Sequence, residues 1–256
     1  MNKRVTPTLV VSLLVVAVFS PDLRPVKADT PSLLSPYWGP TITQWADLIA
    51  YHAGQRGLDP DLVSAIIFEE SHGLPSQISI VGAVGLMQIM PQEAGFWWRP
   101  KMAELLEPSM NLYWGTRTFS QIVQQAAGNL KRALAAYNGG WEQESLRVPK
   151  AFAGKVLDHY ARAIAARAGY NARSIKAWTI LLDIRSSAGL LRVDVIKSDG
   201  TIQADAEFDL SRLPSSTPRA TAYSIIDSAN VAWLIVAWVI VEPIEGHTLE
   251  PGRGTY

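Results

Sequence analysis

Apolar residues recur along this chain with two different periods, and the change from one to the other divides it. From Thr41 to about Tyr170 the spacing is helical. In "TITQWADLIAYHAGQRG", Ile42, Trp45, Leu48, Ile49 and His52 share one face, closed by Gly54 or Gly57. "SMNLYWGTRTFSQIVQQ" predicts a further helix with Leu112, Gly115, Phe119, Ile122 and Val123 inward. "NLKRALAAYNGG" predicts another, with Asn129 as N-cap, Leu130, Ala133, Leu134 and Tyr137 on one side, and Gly139 and Gly140 as its stop. Pro149 is expected to open a long helix through Val156, Leu157, Tyr160 and Ile164. Beyond it the period shortens. "LRVDVIKSDGTIQADAEFDL" alternates, with Ile202, Ala204, Ala206, Phe208 and Leu210 against polar neighbours, and Ser198-Asp199-Gly200 forms a hairpin turn. "VAWLIVAWVIV", 231–241, is apolar throughout yet short of the ~20 residues a membrane helix needs, and is expected as a buried strand, with a membrane-dipping segment as the alternative.

The segment 60–72 carries charge where charge is avoided. Asp59 is a good N-cap, Pro60 suits the first helical position, and Gly73 with Pro75 ends the helix. Leu62, Val63, Ala65, Ile66, Ile67 and Phe68 wrap most of the cylinder, so the helix is expected to be buried, with Glu69 and Glu70 in its last turn. At about 100° per residue, Glu70 lies near the mean apolar direction and Glu69 toward its edge. Apolar surroundings and the partial negative charge of the helix end both disfavour ionised Glu70, which suits a general acid. Glu69 is expected as a solvated or salt-bridged carboxylate. A capped or arginine-paired Glu70 inside the core fits the same pattern. After the helix, Gly82, Ala83 and Gly85 permit tight turning ahead of "GLMQIMP". No Gly-Lys-Ser/Thr follows, so this is no phosphate cradle.

Composition narrows the function. Of 256 residues, 48% are hydrophobic and 18% charged, enough for a real core, and 23 basic residues balance 23 acidic ones. That balance lacks the basic footprint of a nucleic-acid binder. Lys3 and Arg4 precede the apolar run Leu9 to Phe19, then Pro21, Pro25 and "VKA". This order predicts a signal peptide over 1–28 cleaved after Ala28, with an uncleaved anchor as the alternative. Residues 29–40 are read as a Pro- and Ser-rich linker, 41–170 as a mainly helical domain and 171–256 as a small β-rich module. With no cysteine, neither a disulfide nor a Cys-linked lipid is available. His52, His72, His159 and His247 lack metal-ligand spacing, and no metal or cofactor is expected.

Several motifs occur in an order that narrows the reading further. They are "ES" at Glu70-Ser71, "SIVGAVGLMQIMP" from Ser79 to Pro91, "NLYWG" from Asn111 to Gly115, "ALAAYNGG" from Ala133 to Gly140 and "VPKAF" from Val148 to Phe152. Together they resemble the transglycosylase domain of soluble lytic transglycosylases, a lysozyme-like family, over about Thr41 to Ala168. The resemblance implies a mainly α lysozyme-like (α+β) catalytic domain followed by the β-rich module. It implies cleavage of peptidoglycan between N-acetylmuramic acid and N-acetylglucosamine, with Glu70 as the catalytic acid. Glu70 would protonate the glycosidic oxygen and then serve as base for the sugar's own C6 hydroxyl, leaving a 1,6-anhydro ring. One carboxylate then suffices, where most glycosidases use two.

By matching position, Ser79 and Gln88 would bond acetamido groups or position the acid, Met90 would pack on a sugar, Tyr137 would direct its hydroxyl toward Glu70, and Asn138 would bind sugar. Their plainer roles are turn serine, surface amide, core filler, core tyrosine and helix-terminating residue. Phe152 stands where the family commonly has tyrosine, so that hydroxyl is missing. Phe96-Trp97-Trp98 fits either sugar stacking or core packing. The expected protein is exported to periplasm or wall. Its rivals are a hydrolytic muramidase and a non-catalytic wall-binding component of an envelope machine. The module 171–256 fits binding wall polymer, docking an envelope protein partner or covering the cleft.

Overall fold

The computed structural model describes residues 32–187, 189–203, 208–226 and 229–243. The expected signal segment 1–28 and His247 lie outside them. Among the described residues seven helices come first: α1 (Pro40–Thr43), α2 (Ala46–Gly54), α3 (Pro60–Ser71), α4 (Met102–Leu105), α5 (Pro108–Gln125), α6 (Leu130–Gly139) and α7 (Arg147–Arg167). Five strands follow: β1 (Ile175–Ser186), β2 (Gly189–Lys197), β3 (Ile202–Gln203), β4 (Arg219–Ile226) and β5 (Ala232–Pro243). They pair antiparallel in the order β3-β2-β1-β5-β4. A mainly helical part followed by a small β-rich one is the class the two periods predict. Among the described residues, no helix is long and apolar enough to cross a membrane.

Local chemistry explains where elements begin and end. The Asp59 side chain accepts from the Asp61 amide at 2.9 Å and Pro60 takes the first position of α3. The Asn129 side chain accepts from the Arg132 amide at 3.0 Å and starts α6. Three boundaries differ from expectation. The helix foreseen from Thr41 breaks at Gln44–Trp45, where the Trp45 indole donates to the Gly73 carbonyl at 2.9 Å. The last helix opens at Arg147, so Pro149 sits third, still within the first turn whose amides lack helical partners. Among the described residues, the alternating run after Gly200 forms a strand over β3. Residues 204–207 lie outside the described set, and Asp209 then accepts from the Ser211 amide at 3.1 Å and turns the chain into a 3₁₀ segment.

Helices and sheet share a core. Ile66, Phe119, Leu134, Val156 and Tyr160 from the helices and Ile180, Leu182, Ile235, Ala237 and Val239 from the sheet belong to one buried cluster. The apolar run 231–241 forms β5, between β1 and β4. Ile235, Ala237 and Val239 face the helices, while the alternate residues Val236, Trp238 and Ile240 are only partly covered. β4 reaches the chain just before α3. Asp59 donates its amide to Ala222 O at 3.0 Å, Ser224 to Gly57 O at 2.7 Å, and a Cβ on Gly57 would meet Ser224 O at 1.7 Å. The sheet thus braces the N-terminal end of the helix that carries both glutamates.

From Ser32, the segment read as a linker also packs into this body, with Leu34, Ser35 and Trp38 buried. Asp61, 1% exposed, gathers it by accepting from the Ser35 amide and the Trp38 indole, each at 2.8 Å, and from Arg167. A buried carboxylate is tolerated there because both of its oxygens accept from donors, one of them a guanidinium.

Candidate active site

The last turn of α3 separates its two glutamates by direction and by partner. Glu69 points to α7, where Lys155 Nζ lies at 3.2 Å and His159 Nε2 at 3.1 Å. His159 Nδ1 is in turn 2.6 Å from the Tyr37 hydroxyl. Glu69 is therefore the salt-bridged member of the pair, as its edge position predicts. Glu70 is largely buried, and among the described residues no hydrogen bond or ion pair reaches its carboxyl. Burial pushes that carboxyl up to about 8, and the neighbouring charge of Glu69 adds in the same sense. The second cause was not foreseen; consecutive helical side chains diverge, yet their charges still interact through a weakly screening interior.

The loop after α3 is held by residues outside the predicted site. Ser71, buried, donates its hydroxyl to Leu86 O at 2.8 Å and ties the end of α3 to the loop. Asn111 is wholly buried: its Oδ1 accepts from the Met87 amide at 2.8 Å, and its Nδ2 donates to Val84 O at 2.8 Å and Leu105 O at 2.9 Å. Two glycines make this approach feasible. A Cβ on Gly85 would meet Asn111 Nδ2 at 2.1 Å, and one on Gly115 would meet Met87 Sδ at 2.3 Å. Asn111 and Gly115 carry a sequence motif and Ser71 follows Glu70, but which backbone groups they meet depends on contacts far apart in the chain.

The predicted binding residues fall into different situations. Tyr137 is close enough for the charge of Glu70 to raise its phenol pKa further, after burial, but its hydroxyl donates to Met87 O at 2.7 Å. Its proton thus holds the loop, where the sequence reading aimed it at the acid. Ser79 Oγ accepts from the Ala83 amide at 3.0 Å, closing a turn, with its own proton still free to donate. Gln88 donates its side-chain amide to Gln77 O at 3.1 Å and Gly85 O at 2.9 Å, which leaves the amide oxygen as the group able to meet a ligand. Asn138 is exposed near the end of α6.

Gln88, Met90 and Tyr137 line a cleft of about 640 Å³, with Trp98, Trp114 and Gln121 among the other lining residues. Glu70 is not among the lining residues; Tyr137, which is, lies near enough to feel its charge. Phe96, Trp97 and Trp98 are 41%, 70% and 71% exposed, so core packing does not account for them. Arg99 organises the cluster, with its guanidinium 4.0 Å from the Phe96 ring centre and 2.6 Å from Glu93 Oε1. Glu93, the remaining carboxylate near the motif, is thereby engaged at the surface. Phe152 is buried among apolar side chains, where a phenol would need a partner.

The family model of the transglycosylase SLT domain matches residues 47–154, from α2 into α7. Residues 47–154 are a transglycosylase SLT domain. All the candidate residues fall within the SLT domain, and the sheet lies outside it. A transglycosylase of Enterobacteria phage PRD1 is 35% identical over 115 residues, which cover 44% of this chain and 42% of the relative. An endo-type membrane-bound lytic murein transglycosylase A of Klebsiella pneumoniae is 35% identical over 99 residues, covering 34% of this chain and 49% of the relative. The match thus spans less than half the length of either relative. Among solved structures, the 70 kDa soluble lytic transglycosylase of Escherichia coli aligns with a TM-score of 0.41 and 25% identity, over 46% of this chain and 23% of that one.

Proposed function

We propose that the chain is an exported lytic transglycosylase that cuts peptidoglycan glycan strands with Glu70 as its single acid and base. The observation that carries this reading is an isolated, largely buried carboxyl in the last turn of α3, inside an SLT domain, whose charge reaches Tyr137 in the wall of an aromatic-edged cleft. Protonated Glu70 gives its proton to the glycosidic oxygen as the bond from that oxygen to the muramic acid C1 breaks. The resulting carboxylate takes the C6 hydroxyl proton as O6 bonds to C1. The products are a free hydroxyl on one side and a 1,6-anhydro ring on the other, and Glu70 ends protonated. Glu69 does not serve as a second catalytic carboxylate, since Lys155 and His159 hold it toward α7. In the cleft, the amide oxygen of Gln88 would accept from an acetamido N–H, and Met90 with Trp98 would pack on sugar faces. Ser79 and Asn138, which do not line the cleft, are assigned to further sugar contacts.

Mass spectrometry of the soluble products of purified peptidoglycan tests the chemistry. Anhydromuramyl ends are expected; reducing ends would make the protein a muramidase. The pH profile tests the acid. Glu70 keeps its proton below about 8, so activity should decline as pH rises through that value. Glu69→Gln removes a charge that raises this pKa, and should move the decline to lower pH. A limb that stays in place would remove Glu69 from the tuning of Glu70.

A further inference from the structure

A second groove, of about 640 Å³, runs between α7 and the hairpin turn that joins β2 to β3. Lys131, Arg147, Lys150, Lys155 and Lys197 line it, five cations against two carboxylates. Both carboxylates are already occupied. Asp158 accepts from Arg162 at 3.0 Å and from the Trp178 indole at 2.8 Å, and Asp199 from the Thr201 amide at 2.7 Å. Lys155 pairs with Glu69 and Lys197 lies near enough to Asp199 to help lower its pKa, while among the described residues Lys131, Arg147 and Lys150 have no ion-pair partner. Lys131 and Lys150 crowd each other: burial, then the charge of Lys150, lowers the Lys131 ammonium pKa. Like charges gathered in a recess oppose folding unless something else favours them.

Two features define the ligand. Trp178 and Ile196, both nearly buried, give the groove an apolar floor beneath its cationic rim. Lys155 and His159, which line it, also hold Glu69, the chain neighbour of Glu70. We propose that this groove binds the acidic peptides carried by the glycan strand, so that the β-sheet and α7 together select peptide-bearing substrate. Carboxylates of the peptide meet the unpaired lysines, and its aliphatic side chains lie on Trp178 and Ile196. A recess suits a chain better than a flat bilayer surface, and an apolar floor suits a peptide better than a phosphate polymer.

This inference rests on the proposed peptidoglycan activity, and binding can be read without turnover. The Glu70→Gln chain would be co-sedimented with peptide-bearing peptidoglycan and with the same material stripped of its peptides by an amidase. Peptide-bearing material should be held about tenfold more tightly, with a dependence on salt. Adding Lys150→Glu and Lys197→Glu should abolish the difference, whereas Lys150→Arg with Lys197→Arg should keep it; circular dichroism checks that each variant is folded. Equal retention of the two materials overturns the proposal, as does a preference that survives charge reversal. Tighter binding to anionic vesicles or to a phosphate polymer than to the peptide-bearing wall also overturns it. If the peptide preference is found but the native chain releases no product, the proposed activity fails and the groove assignment stands.

Discussion

Glu70→Gln should lower the rate of glycan cleavage by about 10³-fold, in the range that loss of a positioned general acid brings, and at the same time make the folded chain more stable at neutral pH. The second effect follows from the raised pKa. A carboxyl that titrates at about 8 when folded and near 4.5 when free binds its proton more tightly in the native state. Its stabilising contribution is complete below about 4.5 and is lost as pH rises to about 8. Glutamine, neutral throughout, escapes that loss. At pH 7 the gain should be of the order of 1–3 kcal/mol, after allowance for partial exposure. Product release from purified peptidoglycan and denaturant unfolding measure the two effects. A variant that retains normal cleavage would remove Glu70 from catalysis and favour a wall-binding component. A variant that loses both activity and stability would point to a structural carboxyl.

Asn111→Ala should be the most damaging single change to the scaffold. It leaves the Met87 amide and the Val84 and Leu105 carbonyls without their partner inside a dry interior. At roughly 1–3 kcal/mol for each orphaned group, partly relieved by entering water, the loss should be about 3–5 kcal/mol. For a domain of this size that corresponds to a fall in Tm of about 10 °C. Cleavage should fall as well, since Asn111 fixes the stretch that leads into Gln88 and Met90. A Tm within about 2 °C of the unmodified chain would show that the loop is held by other contacts.

These two residues were legible to different degrees. Glu70 stood out because the elements around it are local: an N-cap and a proline start α3, a glycine ends it, and helical spacing aims one glutamate inward. Glu69 was separable for the same reason. Asn111 was visible only as a motif letter, since nothing in its neighbourhood says that it bonds to Val84 and Met87. The hydroxyl of Tyr137 was misdirected because two acceptors, the Glu70 carboxyl and the Met87 carbonyl, compete for one proton, and only the folded loop decides between them. The Phe96–Trp98 cluster illustrates the limit from the other side, since an apolar run reads alike whether it is buried or set at a cleft edge.

The chain's own order of residues therefore determined the two periods, most helix ends and the inward aim of Glu70, because each depends on groups within a turn or two along the backbone. Tertiary structure decided the isolation of that carboxyl, the clamp on Met87, the break at Trp45 and the charged groove beside α7. Each of these needs groups brought together from distant segments, and desolvation acts on what surrounds a group in space rather than on its neighbours in sequence.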